Sequence, residues 1–140
     1  MENLYYFFLN NIIISIGFIC TIIILIIYEI MEYTYSKYSI NPNIAINLIN
    51  HKNGIILDFR DKKDFDRNYI VNSINIQKQN DYEKIIEKYK KKIIIVIHKN
   101  NYNAYKIIKK YNNIKENRIT YIYDGINAWI KTELPVTRNY

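Results

Sequence analysis

Hydrophobic residues in this chain form one long N-terminal run, followed by short segments with strand-like or helix-like patterns. From residue 3 to residue 28 no residue is charged, and residues 12–28 are almost entirely apolar. In a helix, about 20 such residues span the roughly 30 Å hydrocarbon core of a bilayer. The pattern therefore predicts a transmembrane anchor over residues 4–28, joined by a linker at residues 29–38 to the rest of the chain.

A cleavable signal peptide is the alternative interpretation of the apolar run. Signal peptides have a basic start and a small-residue cleavage site. Here Glu2 is the only charged residue before the run, and no such cleavage site follows it. Aromatic residues at both ends, Tyr5–Phe8 and Tyr28, suit the two interfaces of a membrane-spanning helix. We therefore expect an uncleaved, single-pass anchor.

The remaining sequence alternates between apolar runs and segments with helical spacing. Apolar runs predict strands at residues 54–60, 73–76, 93–97 and 118–125. Helical spacing predicts helices or helical turns at residues 40–53, 62–70, 81–91, 102–113 and 126–132. Strands that alternate with helices form parallel sheets with helices on both faces. We predict an open α/β domain over residues 39–136 and a tail at 137–140.

The first and last helices of this domain have predictable core residues. Asn41 can cap the first helix and Pro42 suits its first turn. We expect its apolar side to consist of Ile44, Ile46, Leu48 and Ile49. In the last helix we expect Ile126, Trp129 and Ile130 to pack on the sheet.

Charge is distributed unevenly along the chain. Residues 1–40 contain one basic and three acidic residues, a net charge of −2, whereas residues 41–140 contain 19 basic and ten acidic residues, a net charge of +9. A basic domain suits the anionic cytoplasmic leaflet, so we expect the N-terminus outside and the domain in the cytoplasm. The lysines are mixed with acids instead of forming one stripe in the sequence, so we expect no nucleic-acid binding.

Residue types limit the candidate chemistry. Cys20 is the only cysteine and lies in the apolar run, so no internal disulfide can form and no Cys/His spacing suggests zinc. We expect neither a metal nor a cofactor. Isoleucine, asparagine, lysine and tyrosine are all abundant, which we attribute to an AT-rich coding sequence. A single lysine or asparagine therefore carries little functional information.

Several segments, in the right order, resemble the rhodanese-like domain family. One strand ends in the family's Leu-Asp-x-Arg pattern, and a phenylalanine follows in an acidic helical turn. Residues 68–76 loosely resemble the family's Gly-His-Ile-x-Gly-Ala-x-Asn-Ile stretch, and "YIYDGINAWIKTELPV" resembles its Gly-Gly-x-x-Ala-Trp…Leu-Pro-Val ending. The resemblance implies an open parallel sheet flanked by helices. It also implies structural roles for Asp58, Arg60, Phe65, Gly125 and Trp129.

The loop after the central strand departs from that family's pattern. Active members have a loop of approximate pattern Cys-Arg-Ser-Gly-x-Arg-Ser, whose cysteine carries sulfur as a persulfide. Aligned on this loop, the chain has His98 at the cysteine, Lys99 at the first arginine, Asn100 at the serine, Asn101 at the glycine and Asn103 at the second arginine. Imidazole cannot carry a persulfide. The resemblance thus implies that the chain is not a thiosulfate sulfurtransferase.

The whole layout, one span followed by one such domain, resembles the YibN-like membrane proteins. This implies a single-pass protein of the bacterial inner membrane whose catalytically inactive domain acts by protein–protein contact. Membrane-protein biogenesis machinery is the implied class of partner. We expect His98 itself to be a structural histidine, although Asp58 and Asp124 at strand ends could in principle orient it.

Two alternatives remain open for the loop. It could act as a sulfurtransferase that uses an external thiol. It could instead bind an anion at the helix N-terminus, with Asn101 in the left-handed conformation that a glycine would adopt. The candidate anion-binding residues are His98, Lys99, Asn100, Asn101, Tyr102 and Asn103.

Overall fold

The computed structural model describes residue 6, residues 10–112 and residues 118–139. The chain divides into two compact units, Met1–Thr34 and Tyr35–Tyr140. Helix α1, Ile12–Ser36, is long and apolar enough to cross a membrane, and a membrane anchor or a signal sequence would meet the same criterion. The aromatic cluster expected at Tyr5–Phe8 lies outside the described residues, apart from Tyr6.

Helix α1 is longer than the apolar run that predicted it. It continues to Ser36, through residues that the sequence assigned to a linker. Neither glycine nor proline occurs between residues 18 and 36 to interrupt it. The Thr34 hydroxyl donates a hydrogen bond of 2.8 Å to the Ile30 carbonyl, one turn back along the same helix.

The second unit contains a five-stranded sheet with the strand order β1-β5-β4-β2-β3. The strands are β1 Ser39–Ile40, β2 Gly54–Asp58, β3 Ile74–Asn75, β4 Ile93–Ile97 and β5 Arg118–Ile122. All four pairings are parallel, which confirms the predicted parallel sheet. Strand β1 was not predicted, because two residues show no alternation and their pairing with Tyr121 and Ile122 depends on a distant segment.

Helices cover both faces of this sheet, as predicted. They are α2 Pro42–His51, α3 Lys62–Arg67, α4 Tyr82–Lys88, α5 Asn101–Tyr111 and α6 Gly125–Lys131, with a 3₁₀ turn at Gln79–Asp81 before α4. The predicted start of α2 is confirmed, since the Asn41 side chain accepts the Ile44 amide at 2.9 Å and Pro42 occupies the first turn.

The hydrophobic core has two parts, one on each face of the sheet. Side chains of a strand point alternately to opposite faces, and β4 shows this most clearly. Ile94 and Val96 belong to one cluster, with α4 and α5. Ile95 and Ile97 belong to the other, with α2 and α6. The central strand is therefore buried on both sides.

Two expected core residues are exposed, and those predictions were wrong. Ile44 is 47% exposed and Ile130 is 43% exposed. The buried side of α2 is centred on Ala45, which is fully buried, and Ile44 lies about 100° away from it around the helix. The absence of a side chain on Gly54 lets α2 lie close to β2, since a Cβ atom there would be 2.9 Å from the Leu48 carbonyl.

The C-terminal residues return to the region after α3. Tyr69 and Thr137 exchange backbone hydrogen bonds of 2.9 and 2.8 Å. The Asn139 side chain donates to an Asp66 carboxylate oxygen at 2.8 Å. The predicted tail is thus bonded to the domain as far as Asn139, and Tyr140 lies outside the described residues.

Candidate functional site

The carboxyl ends of β2, β4 and β5 meet at one edge of the sheet, because these neighbouring strands are parallel. In open α/β sheets this edge is the usual place for a ligand site. The segments that leave it are residues 59–61, residues 98–100 and residues 123–124. The Phe59 amide donates to the Ile97 carbonyl at 2.9 Å and so holds two of these segments together.

A buried ion pair occupies the end of β2. Asp58 is fully buried and Arg60 is 4% exposed. Arg60 Nε lies 3.0 Å from both Asp58 carboxylate oxygens, and Nη2 lies 2.7 Å from Oδ2. Nη2 also donates to the Asn68 carbonyl at 2.7 Å, and Asn75 Nδ2 donates to the Asp58 and Arg60 carbonyls at 3.1 and 2.9 Å. The guanidinium therefore holds the end of β2 against α3 and the turn after it, and the Asn75 side chain joins the same loop to β3.

Two aromatic residues that the sequence predicted to be structural, Phe65 and Trp129, are buried on the helices next to this edge. Phe65, on α3, is 7% exposed and stacks on the Tyr69 ring at a centroid distance of 4.5 Å. Trp129, on α6, is 2% exposed and its indole donates to the Pro135 carbonyl at 3.1 Å. Both side chains pack the helices that flank the site.

His98 heads the loop after β4, and its side chain turns back onto that loop. Nδ1 accepts the Lys99 amide at 2.7 Å and the Asn100 amide at 3.5 Å. An accepting Nδ1 requires the neutral tautomer with its proton on Nε2. Burial lowers the pKa of His98 below the ordinary value of 6.5, while the carboxylates of Asp58 and Asp61 act in the opposite direction. The imidazole therefore serves as a neutral acceptor for loop amides.

Asparagines that follow His98 have local structural tasks. Asn100 caps α5, because its Oδ1 accepts the Asn103 amide at 2.8 Å. Asn101 is the first residue of α5, and its Oδ1 accepts the Asp124 amide at 2.9 Å. Asn101 is helical and does not adopt the left-handed conformation that the anion-binding alternative allowed for it. On this edge, the left-handed residues are Asp124, at φ 56°, and Gly125, at φ 53°.

Tyr102 lies on the outer side of the first turn of α5. It is 45% exposed. Its ring makes an edge contact with Tyr35 at a centroid distance of 6.1 Å, and Lys106 Nζ lies 4.4 Å from its centre. Tyr102 is one of the six candidate anion-binding residues, and the contacts of its ring are with Tyr35 and Lys106.

Two polar pockets lie on either side of His98 and Lys99. One, of about 270 Å³, is lined by Arg60, Asp64, Arg67, Asn68, His98, Lys99, Asp124, Ile126 and Asn127. The other, of about 310 Å³, is lined by Phe59, Arg60, Asp61, Gln77, Tyr82, His98, Lys99, Asn100 and Asn103. The structure thus brings His98, Lys99, Asn100 and Asn103 together at these pockets.

Acidic side chains balance part of the positive charge in the first pocket. Lys99 Nζ lies 3.7 Å from Asp64 Oδ2. Asp124, at the same pocket, accepts from Lys131 Nζ at 3.1 Å. Among the described residues, no group of three or more His, Cys, Asp or Glu side chains could hold a metal ion. The site therefore presents both basic and acidic side chains in the same pocket.

Several lining residues were not predicted from the sequence. Asp64, Arg67 and Asn68 reach the first pocket from α3 and the turn after it, and Asn127 reaches it from α6. Their sequence signal was weak, since each is one polar residue among many. Only the tertiary structure distinguishes them, by placing residues of α3 and α6 in one pocket with His98.

With this geometry established, comparison with known proteins gives consistent results. The sequence pattern of the rhodanese-like domain matches residues 41–132. An uncharacterized protein of Buchnera aphidicola subsp. Schizaphis graminum (strain Sg) is 31% identical over 98% of this chain and 95% of its own length. An uncharacterized protein from Buchnera aphidicola subsp. Acyrthosiphon pisum (strain APS) is also 31% identical, over 99% of both chains.

Solved structures with the same fold include a rhodanese-related protein from Thermoplasma volcanium. It is 30% identical, with a TM-score of 0.55, over 71% of this chain and 96% of its own. A thiosulfate sulfurtransferase from Pseudomonas aeruginosa aligns with a TM-score of 0.63 at 13% identity, over 72% of this chain and 19% of its own. At that identity, the second likeness shows the fold alone.

Proposed function

Because the chain belongs to the rhodanese-like domain family, we propose that it is a catalytically inactive member that is anchored in a membrane and acts by protein contact. One observation carries the proposal: an imidazole, not a thiol, heads the loop after β4, and its Nδ1 is engaged by the loop amides. The loop therefore stands at the position of the family's sulfur-transfer loop, with a different group at its head.

Sulfur transfer needs a nucleophile that can hold sulfur. A thiolate does this, and nearby amide dipoles and cations lower its pKa. Cys20 is the only cysteine of the chain, and it belongs to α1, in the first compact unit. With His98 in place of a cysteine, the loop has no sulfur atom that could form a persulfide.

Membrane anchoring is the second part of the proposal. Helix α1 supplies the apolar length for a single, uncleaved span, and the YibN-like layout has the same order of parts. The net charge of +9 after residue 40 favours a domain on the cytoplasmic side of a bacterial inner membrane. A reporter fused to the C-terminus should be active in the cytoplasm. Activity only outside it would contradict this orientation.

Activity measurements on the full chain test the inactive assignment. We expect transfer of sulfur from thiosulfate to cyanide to remain at background, with or without an added small thiol. The added thiol also tests the alternative of a sulfurtransferase that uses an external nucleophile. Turnover by the wild type that is lost in His98→Ala would overturn the proposal.

The variant His98→Cys tests whether the loop keeps its persulfide-binding shape. After incubation with thiosulfate, we expect the thiolate of this variant to take the outer sulfur of thiosulfate and release sulfite. The variant should then gain the mass of one sulfur atom, only on the peptide that contains the substituted position. The physical reason is that the Lys99 and Asn100 amides then face a thiolate. His51→Cys, at the exposed end of α2, is the matched control with the same number of thiols. Equal sulfur uptake by both variants would show reactivity without a cradle.

Protein contact follows from confinement to a membrane surface. An anchor raises the effective concentration of the domain for other membrane proteins, and machinery for membrane-protein biogenesis is the class of partner that the layout favours. Cross-linking in the native membrane should give a discrete product. Recovery of only abundant, unrelated neighbours would count against a specific partner.

Anion sensing is the alternative that one observation favours, namely that Arg60, Arg67 and Lys99 line the same pocket as His98. The inactive-module proposal takes precedence because His98 Nδ1 already accepts two loop amides and acidic residues share the pocket. Titration with sulfate or phosphate, followed by amide NMR shifts, distinguishes the two. Saturable shifts at Asn101 and Tyr102 would favour the sensor.

A further inference from the structure

Positive charge is concentrated on one of the two helical layers. Residues 79–92, which include α4, and α5 together hold eight lysines against three acidic residues, a net charge of +5. The layer on the opposite face of the sheet, counted in the same way as α2 and α6 with the residues that follow them (42–53 and 125–133), holds two lysines and one acidic residue, a net charge of +1. We call the solvent-facing side of residues 79–92 and α5 the lysine–tyrosine face.

Burial of the apolar residues directs these lysines outward. On α5, the residues packed on the sheet are Ala104, Ile107, Ile108 and Tyr111. The intervening Lys106, Lys109 and Lys110 are exposed as a consequence. On α4, Ile86 is fully buried, and Lys84 and Lys88 are exposed.

Tyrosine rings lie beside several of these ammonium groups. Lys106 Nζ lies 4.4 Å from the centre of the Tyr102 ring, which is 45% exposed. Lys88 and Lys92 lie 5.3 and 5.8 Å from the Tyr89 ring. Lysine and tyrosine each join an apolar body to a polar tip, which suits both to a water–membrane interface.

Biased composition does not account for this arrangement. A coding bias that enriches lysine, asparagine and isoleucine together would distribute all three alike over the exposed positions of every helix. Exposed positions on α2 instead carry asparagine and isoleucine, as at Asn43, Asn47 and Ile44. The asymmetry between the two layers therefore points to a partner for the basic one.

We propose that the lysine–tyrosine face binds anionic lipid headgroups on the membrane that holds α1. This inference rests on the anchor in the proposed function. The chain itself favours a lipid occupant, because a tethered domain meets the membrane surface at high effective concentration, and the net charge of +5 is complementary to an anionic leaflet. Nucleic acid is the competing occupant for a basic face, and the test includes it.

Lysine footprinting on the full chain tests the proposal. The protein is reconstituted into nanodiscs of phosphatidylcholine alone, or with about one third phosphatidylglycerol, and exposed lysines are acetylated and quantified by mass spectrometry. We expect Lys106, Lys109 and Lys110 to react at least about threefold more slowly in the anionic discs. Lys52, Lys63 and Lys131, outside the face, should change by less than about 1.5-fold. At 0.5 M salt the protection should disappear, since the screening length falls to about 4 Å.

Matched variants test whether the protection of lysines from acetylation depends on the charge of the lysine–tyrosine face. Lys106→Gln/Lys109→Gln/Lys110→Gln should abolish the lipid-dependent protection of Lys84 and Lys91. The control Lys52→Gln/Lys63→Gln/Arg138→Gln removes the same charge elsewhere and should leave that protection intact. Equal protection in both lipids, or on both sets of lysines, would overturn the proposal. Protection of the same lysines by a short RNA in neutral discs, without any in anionic discs, would also overturn it.

A further experiment distinguishes two outcomes: that α1 does not anchor the protein in the membrane, and that the lysine–tyrosine face does not bind anionic lipid. Extraction of the protein from membranes by alkaline carbonate would contradict the anchor. The extracted protein would then be sedimented with free vesicles of the same two compositions. Binding to the anionic vesicles alone would support the face without the anchor, and binding to neither would overturn both.

Discussion

The carbonyl oxygen of His98 lies 2.7 Å from the position that a Cβ atom would take on Gly125. This contact joins the loop after β4 to the start of α6. Gly125 also has a φ of 53°, a left-handed conformation in which a side chain is strained. The family's glycine at this point is therefore explained by the close approach of the His98 backbone, not by the chemistry of a ligand.

Replacing this glycine should destabilise the domain. We expect Gly125→Ala to lower the free energy of unfolding by about 2–3 kcal/mol, since the added methyl group meets backbone and the left-handed conformation is strained. Denaturant unfolding in detergent, followed by fluorescence of Trp129, the only tryptophan, would measure this. Asn127→Ala, exposed on the same helix, is the control and should change stability little.

Breaking the buried ion pair should have a larger effect. Asp58→Asn would leave the Arg60 guanidinium, 4% exposed, without its carboxylate. We expect a loss of about 3–5 kcal/mol, because a buried charge loses its partner. Glu87→Gln, which removes an exposed pair with Lys90, is the control and should cost about 0–1 kcal/mol. Similar losses in the two variants would contradict the structural role assigned to Asp58.

The side chain of Asn100 should stabilise α5 as its cap. Asn100→Ala removes the 2.8 Å hydrogen bond from the Asn103 amide, and we expect a loss of about 0.5–2 kcal/mol. Faster hydrogen exchange at the Asn103 amide should accompany it. Asn43→Ala, in the first turn of α2, is the comparison. An unchanged Asn103 amide in Asn100→Ala would argue against the cap.

His98 should make stability depend on pH. Burial lowers its pKa below 6.5, so the folded protein binds fewer protons than the unfolded chain between the folded pKa and pH 6.5. Its contribution to stability is therefore full above pH 6.5 and is lost as the pH falls through the folded pKa. Unfolding curves from pH 7.5 to 5 should show this slope for the wild type and lose it in His98→Gln.

Protonation should also be visible in the loop itself. An imidazolium Nδ1 cannot accept the Lys99 amide, which now lies 2.7 Å away. The Lys99 amide shift should therefore change with the same midpoint as the His98 ring signals. A Lys99 shift that is independent of the His98 titration would contradict the hydrogen bond.

Local pattern was sufficient for most elements of the fold. The five β-branched residues of β4, Ile93–Ile97, predicted a buried strand because such a run has no polar side to turn to water. The Asn41-Pro42 pair predicted the start of α2, since capping depends on residues within one turn. The segments that resemble the rhodanese-like family, which include Asp58, Gly125 and Trp129, then indicated the fold that these elements form, an open parallel sheet flanked by helices.

Long-range packing decided what local pattern left open. Ile44 and Ile130 have helical spacing like their buried neighbours. The sides of α2 and α6 that pack on the sheet are instead centred on Ala45 and Trp129, which leaves both isoleucines exposed. The sequence allowed Asn101 a left-handed conformation, but the residue is helical, and its side chain accepts the amide of Asp124, 23 residues away.

By itself, the sequence determined an apolar helix, an alternating α/β domain and a histidine at the head of the central loop. These follow from the identities of neighbouring residues. The tertiary structure alone decided that His98 accepts its own loop amides, that Arg60 is fully engaged, and that scattered lysines share one face. The shared face of the lysines and the bond from Arg60 to the Asn68 carbonyl join separate segments that become neighbours only when the helices pack on the sheet. The bonds of His98 are local, but they need a side-chain conformation that the residue pattern does not specify.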